Sequence, residues 1–483
     1  MVDVVVVGGG PTGLLLAGEL KLAGAEPLVL EASGGSARRS RSFHIRGINL
    51  RSMQTLALRG LDAPLIAEQR AMFDWIATHG GSESTNLLRR MLDEGRAQGV
   101  FSLLPLQTEP SDDRWVILQP HRLERILVDW VTSLGVTVRP GSEVVEVVDE
   151  GPTVVAILAD GESVRAPYLV GCDGGRSVVR KTMAIDFVGT EATMTGRVAA
   201  VTVADPMALR SNVRSPGGLL LLSMIPGEIS TIEFSGGPAD PRAPLTASEM
   251  QDSIRRVSGV PDVEVTTFDG GIRFSDNTRQ AVTYRRGRVF LAGDAAHVHS
   301  AIGGQGLNLG LQDAANLGWK LGLVARGLAD EELLDTYHAE RHPIGARVLR
   351  NTRAQVALMR PGPQVDALRE VVSEVIAIPD AQRYFIDMAN GFDIDYAGTG
   401  EPYVGKFMPE VLPLTNGGGL LIGATAAGYE DRLRCVAGRT PMLVRPDGYV
   451  AWASTGDDAR GLDESLRHWF GVPGPVTVDR VSN

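Results

Sequence analysis

The stretch VVVVGGGPTGLLLAGELKLAGAEPLVLE, residues 4–31, decides the fold of this chain. An apolar run from Val2 to Val7 predicts a buried strand, and a helical pattern from Leu14 to Ala23 leads into a second apolar run at Pro27–Leu30. Gly24 follows the last helical residue, where a left-handed residue commonly ends a helix. The sequence therefore begins with a predicted βαβ unit.

A glycine-rich turn with the spacing GxGxxG joins the first strand to the helix. Gly8, Gly10 and Gly13 occupy its glycine positions, and Pro11 and Thr12 lie between the last two. The first glycine allows a tight turn, the second lets the backbone approach a pyrophosphate, and the third lets the helix pack closely on the strand. Because the helix N-terminus also offers unpaired N–H groups, these residues are predicted to bind the diphosphate of a dinucleotide.

An acidic residue completes this dinucleotide motif. Glu31 ends the second strand about 20 residues after the glycines, where a carboxylate can accept hydrogen bonds from both ribose hydroxyls. The same carboxylate would repel a 2′-phosphate, so FAD or NAD is favoured over NADP at this site. The βαβ unit alone does not separate FAD from NAD.

Two later segments place an aspartate at the end of an apolar strand. They are YLVGCDGGRSVVRK (168–181), which contains Asp173, and RVFLAGDAAHVHSAIGGQGLNLGLQDAANLGWKL (288–321), which contains Asp294. A carboxylate at such a position is directed into the crevice where open α/β sheets bind ligands. With these motifs the chain resembles the FAD-dependent aromatic hydroxylases, the class A flavoprotein monooxygenases related to para-hydroxybenzoate hydroxylase. Its RPDGYVAW segment near the C-terminus is most similar to the polyketide hydroxylase and rifampicin monooxygenase subgroup.

The resemblance implies roles for residues of these segments. Asp294 would hydrogen-bond the ribityl chain of FAD, and Asp173 would serve both FAD and the nicotinamide cofactor, although an Asp-Gly turn is an alternative for Asp173. The turn at Gly304 and Gly306, with Leu307 and Asn308 after it, would direct a helix N-terminus at the flavin pyrimidine ring. Such a positive helix end stabilises the negative charge of reduced flavin.

The resemblance implies roles for other residues, and for some of them there is an alternative explanation. Arg41 is the candidate for an arginine that reaches the FAD pyrophosphate, and Gln119 matches a glutamine on the ribityl side or else makes a helix-start hydrogen bond. Arg46 is a tentative catalytic residue near the flavin or the entering nicotinamide, with a surface salt bridge on a helix as its alternative. Many members of the family have proline where this chain has Ala301.

The resemblance also implies the reaction. NADPH or NADH would reduce FAD transiently, O₂ would add at the flavin C4a position, and the hydroperoxide would hydroxylate a polycyclic aromatic substrate of the polyketide or antibiotic kind. The sequence shows no Ser/His/Asp triad, and His297 and His299 are not at metal-ligand spacing, so no metal is expected. Baeyer–Villiger oxygenation of a related polyketide, and a flavin-binding carrier without oxygenase activity, are the alternatives.

Composition limits the partners. Of 483 residues, 43% are hydrophobic and 22% charged, as in folded proteins, and a net charge of −11 disfavours nucleic acid and anionic membranes. Two cysteines without a CxxC, no basic leader and no apolar stretch of about 18 residues predict a cytoplasmic protein without a spanning helix. The expected partners are a small aromatic molecule and O₂, and the chain is expected to be a monomer or homodimer.

The predicted fold class is α/β, or α+β overall, with a division into domains. Residues 1–188 and 289–402 would form the Rossmann-like FAD-binding domain with a helical segment, and residues 189–288 an inserted, mostly antiparallel substrate domain. Residues 403–483 would form a small thioredoxin-like α/β domain, which lacks a CxxC. The substrate is expected between the inserted sheet and the flavin. Wall candidates, for each of which plain core packing is the simpler explanation, are Phe73, Trp75, Met224, Phe234 and Phe274.

Overall fold

The computed structural model describes residues 2–34, 43–80, 84–86, 100–102, 104–106, 115–210, 213–240, 242–454 and 459–474. Its helices are α1 (Pro11–Leu22), α2 (Leu50–Ala57), α3 (Asp62–His79), α4 (Pro120–Ser133), α5 (Val178–Thr182), α6 (Ala247–Ser258), α7 (Gln305–Ala325), α8 (Asp335–Met359), α9 (Pro363–Ile376), α10 (Pro379–Asn390) and α11 (Leu462–Phe470). Short 3₁₀ turns lie at Pro206–Ala208, Gly293–Ala295 and Glu331–Leu334.

The strands are β1 (Val4–Val7), β2 (Pro27–Glu31), β3 (Arg46–Ile48), β4 (Val100–Phe101), β5 (Leu104–Pro105), β6 (Val116–Leu118), β7 (Thr137–Pro140), β8 (Val144–Asp149), β9 (Val154–Leu158), β10 (Ser163–Ala166), β11 (Tyr168–Gly171), β12 (Phe187–Thr190), β13 (Thr195–Val203), β14 (Val213–Ser215), β15 (Gly218–Leu222), β16 (Glu228–Glu233), β17 (Val265–Ser275), β18 (Thr278–Ala281), β19 (Arg285–Arg286), β20 (Val289–Leu291), β21 (His297–Val298), β22 (Gly419–Ile422), β23 (Leu433–Val436), β24 (Met442–Val444) and β25 (Val450–Ala453).

The central sheet has the strand order β19-β20-β11-β1-β2-β7. Its pairs are parallel, apart from the antiparallel edge pair of β19 and β20. All four valines of β1 are buried, as expected of a strand covered on both faces by helices and loops. Gly24 ends the first helix with a φ of 87°. The predicted βαβ unit is therefore confirmed.

The antiparallel sheet predicted for the middle of the chain is also present. Its order is β14-β15-β16-β13-β17, and each neighbouring pair is antiparallel. Helix α6 covers one face, where Met250, Ile254 and Val257 are buried against Leu220 and Ile229 of the sheet. This sheet therefore has an apolar core of its own.

The C-terminal part adds a sheet of order β23-β22-β24-β25, against which α11 packs. Helices α8 and α10 end at Met359 and Asn390, before the C-terminal region begins. Helix α8 continues through Pro343. The mixed α/β fold class is thus confirmed, with a parallel sheet, an antiparallel sheet and a small C-terminal α/β region.

Candidate functional site

A cavity of about 700 Å³ opens at the carboxyl ends of β1, β2 and β11. Ligands of parallel α/β sheets bind at this edge, and the volume lies within the range of roughly 300–1,000 Å³ found for ligand pockets. Predicted residues that the structure brings together in its wall are Gly8, Gly10, Pro11, Thr12, Glu31, Arg46, Asp173, Asp294, Gly306 and Leu307.

The glycine turn is tightly packed against the end of β11. Gly8 has a φ of 108°, and a Cβ atom placed on it would lie 2.4 Å from the carbonyl oxygen of Cys172. A Cβ on Gly13 would lie 2.0 Å from the carbonyl oxygen of Gly8. Helix α1 then begins at Pro11 with no acidic residue in its first turn, so its free N–H groups and positive end suit a diphosphate.

Hydrogen bonds from the chain hold the Glu31 carboxylate in place on the cavity wall. One carboxylate oxygen, Oε2, accepts from the backbone N–H of Gly9 at 2.6 Å. The other, Oε1, accepts from the N–H and hydroxyl of Ser33 at 2.9 and 2.7 Å. Glu31 as a residue is 4% exposed, and it borders the cavity with its carboxylate in a defined orientation. The contact of Glu31 with an adenosine ribose stays a prediction.

Asp173 combines a structural contact with a free acceptor. Its Oδ2 accepts from the N–H groups of Val178 and Val179, at 2.6 and 3.1 Å, at the start of α5. Its Oδ1 is buried and has no hydrogen-bond partner in the described part of the chain. Burial raises the pKa of this carboxyl, and hydrogen bonds from Ser177 and the backbone oppose that effect. The unpaired oxygen on the cavity wall fits a cofactor hydroxyl.

Asp294 and Arg46 both line the cavity, and their opposite charges attract each other. Within the described residues no group hydrogen-bonds the Asp294 carboxylate, which is open to the cavity. The surrounding protein removes much of its hydration, and this desolvation raises its pKa. Burial lowers the pKa of Arg46, while the carboxylates of Asp294 and Glu228 act in the opposite direction. Arg46 lies on β3, so the alternative of a salt bridge on a helix is wrong.

A smaller compartment of about 150 Å³ extends the cavity towards α7. The two spaces share Arg46, Asp294, Gly306 and Leu307, and Ala301 and Gly304 line the smaller one. Helix α7 begins here without a side-chain cap or an acidic residue in its first turn. Its positive end therefore opens onto the compartment, as the resemblance to flavin hydroxylases implies.

Two other predicted residues are placed differently, and a third is not among the described residues. The side chain of Asn308 donates to the carbonyl oxygens of Gly47 and Gly304, both at 2.9 Å, and does not line either space. Gln119 precedes α4 and its side chain accepts from Arg122 at 3.3 Å, without capping the helix backbone. Arg41 lies outside the described residues. The cofactor roles of all three remain predictions.

A buried carboxylate that the sequence analysis did not single out holds this region together. Asp313 on α7 is fully buried; its Oδ2 accepts from the N–H of Gly293 at 3.1 Å and from His297 Nε2 at 2.6 Å. Its Oδ1 accepts from Arg341 Nε at 2.8 Å. Burial alone would raise the pKa of Asp313, but Arg341 and His297 hold it below the usual value. Asp313 therefore fixes the strand end that carries Asp294.

The sequence does contain a signal for this carboxylate. Helix α7 is buried along most of its length, and most of its leucines and alanines, with Trp319, lie in the protein interior. Polar residues within such a helix cannot reach water and must be paired inside the protein. The pattern around Asp313 and Lys320 therefore indicates buried ion pairs, although it does not identify their partners.

The fold and the cavity define a dinucleotide-binding protein in which unpaired acceptors, a basic side chain and two helix N-termini converge. The chain matches the family described as "FAD binding domain" over residues 1–352 and the family described as "Aromatic-ring hydroxylase, C-terminal" over residues 402–473. It therefore belongs to the FAD-dependent aromatic-ring hydroxylase family.

Known proteins are similar to this chain along almost its whole length. Rifampicin monooxygenase of Streptomyces venezuelae is 37% identical, over 98% of this chain and 99% of the relative. The 12-dehydrotetracycline 5-monooxygenase/anhydrotetracycline 6-monooxygenase of Streptomyces rimosus is 36% identical over the same shares. The solved structure of OxyS anhydrotetracycline hydroxylase from Streptomyces rimosus superposes with a TM-score of 0.82 at 33% identity, over 98% of this chain and 99% of that one. FAD as the cofactor and monooxygenase as the enzyme class follow from this membership.

The described residues contain neither a cluster of metal ligands nor a membrane-spanning helix. Among them, no three His, Cys, Asp or Glu side chains come together as metal ligands would. In the same residues, each helix is too short or too polar to cross a bilayer.

Replacing the free carboxylate tests the cavity directly. We expect Asp294→Ala to weaken FAD binding by about 10- to 100-fold, because hydrogen bonds to a charged acceptor contribute roughly 1.5–3 kcal/mol. Quenching of FAD fluorescence during titration of the apoprotein measures the affinity. Asp129→Ala, at an exposed position on α4, is the control and should bind like the unmodified chain. Equal affinity of both variants would remove Asp294 from the site.

Proposed function

We propose that this protein is an FAD-dependent, NAD(P)H-consuming monooxygenase that hydroxylates a polycyclic aromatic substrate of the polyketide or antibiotic type. One observation carries the proposal: the compartment bordered by Asp294 and the start of α7 lies beside an apolar cluster that joins the antiparallel sheet to the turn at Ile302. The relatives' names agree with the proposed substrate class.

This cluster supports a site for an apolar, flat substrate. Ile302 precedes α7 by a few residues, and Val356 and Met359 come from the end of α8. The sheet contributes aromatic and aliphatic side chains to the same cluster. They are Leu219, Leu221, Ile232, Phe234 and Phe274, with Met194 just before β13.

The other wall candidates lie elsewhere. Phe73 and Met224 pack against the main core instead, and Trp75 is 42% exposed and stacks on His79. We propose that the substrate ring contacts Phe234 or Phe274.

Residues of the chain have separable roles in this reaction. When bound, FAD would supply the redox chemistry, namely acceptance of a hydride from NADPH or NADH and activation of O₂. The first turn of α1 holds the diphosphate, and Glu31 holds the adenosine ribose. Asp294 and the unpaired oxygen of Asp173 accept hydrogen bonds from hydroxyl groups of the cofactor.

Two positive groups of the chain lie at the smaller compartment. The positive end of α7 stabilises negative charge on a flavin ring bound in the smaller compartment. Arg46 adds a second positive charge there. Both are already in place in the fold, so little reorganisation is needed. The apolar cluster around Ile302 excludes water, which favours transfer of oxygen to the substrate over release of hydrogen peroxide.

We also propose how the chain is organised and where it works. The substrate domain covers residues 189–288 between two parts of the FAD-binding domain, 1–188 and 289–402, and residues 403–483 form the C-terminal domain. The antiparallel sheet formed by 195–275 supports this division. A cytoplasmic location, where NADPH and NADH are available, and a monomer or homodimer complete the proposal.

The test is NADPH oxidation in air by the purified holoenzyme, with and without a panel of polycyclic phenols. We expect a substrate on the panel to stimulate oxidation and to appear as hydroxylated product in near-equal amount to the NADPH consumed. A lactone or ester product would instead indicate Baeyer–Villiger oxygenation. Flavin-loaded protein that binds panel compounds but forms only hydrogen peroxide would contradict the proposal and favour the carrier alternative.

A further inference from the structure

A histidine on the wall of the smaller compartment has one nitrogen engaged. His299 follows β21 and lines the compartment together with Arg46 and Asp294. Its Nδ1 lies 2.8 Å from the carbonyl oxygen of Ser300. Because a carbonyl oxygen can only accept a hydrogen bond, Nδ1 carries the hydrogen. The ring is thereby held in one tautomer.

The second nitrogen of His299 is an acceptor without a donor. Nε2 is buried and has no hydrogen-bond partner among the residues that the structure describes. It lies 3.2 Å from the position of a Cβ atom on Gly306, against the first turn of α7. Burial lowers the pKa of His299 to about 4, partly offset by the hydrogen bond to Ser300, so the ring is neutral at neutral pH. Nε2 therefore carries a free lone pair.

A buried acceptor in a folded protein is nearly always paired, because an unpaired one loses its hydration without compensation. The compartment wall is where a donor can arrive from outside the chain. The neighbouring N–H groups at the start of α7 are donors themselves, so they suit the carbonyl oxygens of a flavin. They leave two kinds of flavin donor in need of an acceptor: its N3–H, and any ribityl hydroxyl that Asp294 does not bind.

We propose that His299 Nε2 accepts a hydrogen bond from an N–H or hydroxyl donor on the flavin half of FAD and so positions the flavin against the N-terminus of α7. His299 is then a positioning residue that complements the helix donors, and Gly306 leaves room for its ring. The inference depends on FAD as the cofactor and not on any substrate. Its test therefore needs no turnover and cannot fail because the proposed oxygenation fails.

Matched variants separate the acceptor from the space that the ring fills. His299→Leu removes both nitrogens, whereas His299→Gln restores an acceptor oxygen near the position of Nε2. We expect His299→Leu to weaken FAD binding roughly three- to tenfold, the effect of one hydrogen bond, and His299→Gln to recover most of that affinity. His79→Leu is the control, because exposed His79 has the same Nδ1 contact to a carbonyl, at 3.0 Å from Trp75. Equal losses in the leucine and glutamine variants, or no loss in either, would overturn the proposal.

A spectroscopic measurement on the unmodified chain decides the question even if a variant does not fold. The chain has only 8 histidines, so ¹⁵N-histidine labelling gives a spectrum with few signals to assign. We expect the unprotonated Nε2 signal of His299 to move upfield when FAD saturates the apoprotein, as a lone pair does on accepting a hydrogen bond. A signal that does not move at saturation would overturn the proposal. Reconstitution with N3-methyl FAD distinguishes the donors: the shift is lost if N3–H is the donor and retained if a ribityl hydroxyl is.

Discussion

Asp313→Asn is expected to lower the free energy of unfolding by about 3–5 kcal/mol and to reduce FAD binding severely. The substitution keeps the shape of the side chain but removes the negative charge that faces Arg341 Nε at 2.8 Å. Both partners are fully buried. Breaking a buried ion pair leaves one charge uncompensated away from water, which accounts for a loss of that size. The FAD effect follows because Asp313 also accepts from the N–H of Gly293, next to Asp294.

Urea unfolding and FAD titration measure the two effects. Asp335→Asn is the matched control, because Asp335 pairs with Arg285 at 2.7 Å but its side chain is 74% exposed. Exposed pairs contribute about 0–1 kcal/mol, so this variant should differ little from the unmodified chain. If Asp313→Asn were as stable as Asp335→Asn and bound FAD normally, Asp313 would not organise the site.

Glu340→Gln is expected to have the second large effect, a loss of about 3 kcal/mol or more. Glu340 on α8 lies between Lys320 of α7, at 2.7 Å, and Arg445 of the C-terminal region, at 2.5 Å. All three side chains are nearly or fully buried. The substitution leaves two positive charges without this partner, although Asp447 still pairs with Arg445. It should therefore also loosen the C-terminal region, which limited proteolysis detects.

The pH dependence identifies the charge as the cause. Burial alone would raise the pKa of Glu340, but Arg445 and Lys320 lower it to about 2 from 4.5. A carboxyl with a depressed folded-state pKa stabilises the protein fully above its unfolded pKa and loses that contribution as the pH falls. The difference in stability between the unmodified chain and Glu340→Gln should thus shrink as the pH falls from 4.5 towards 2.

Glu331→Gln is the control for this series, since Glu331 is 49% exposed and pairs with Arg288 at 3.1 Å. A stability difference for Glu340→Gln that does not change with pH would assign the effect to packing and contradict the ion-pair account.

The local part of the site could be predicted from the sequence. Gly8, Gly13 and Glu31 lie within one βαβ unit, so their spacing along the chain fixes their arrangement in space. Asp173 and Asp294 could be placed because each follows an apolar strand of the same sheet, and the ends of parallel strands meet at one edge. For these residues, position along the chain largely determines position in the site.

The long-range part could not be predicted from one sequence. Glu340 and Arg445 are 105 residues apart, and only the packing of the C-terminal region on α7 and α8 brings them together. The acceptor role of His299 depends on which of its nitrogens Ser300 engages, which the sequence does not show. Arg46 illustrates the same limit: a surface position and a place in the cavity are both compatible with its neighbours along the chain, and only the pairing of β3 with β6 decides between them.

The most direct test of the central claim is the visible spectrum of the purified protein together with its flavin content. The account predicts a yellow protein that holds one FAD per chain, or takes it up when FAD is added, and whose flavin is bleached by NADPH without oxygen. A colourless protein that does not take up FAD, and that binds NAD in the cavity instead, would contradict it.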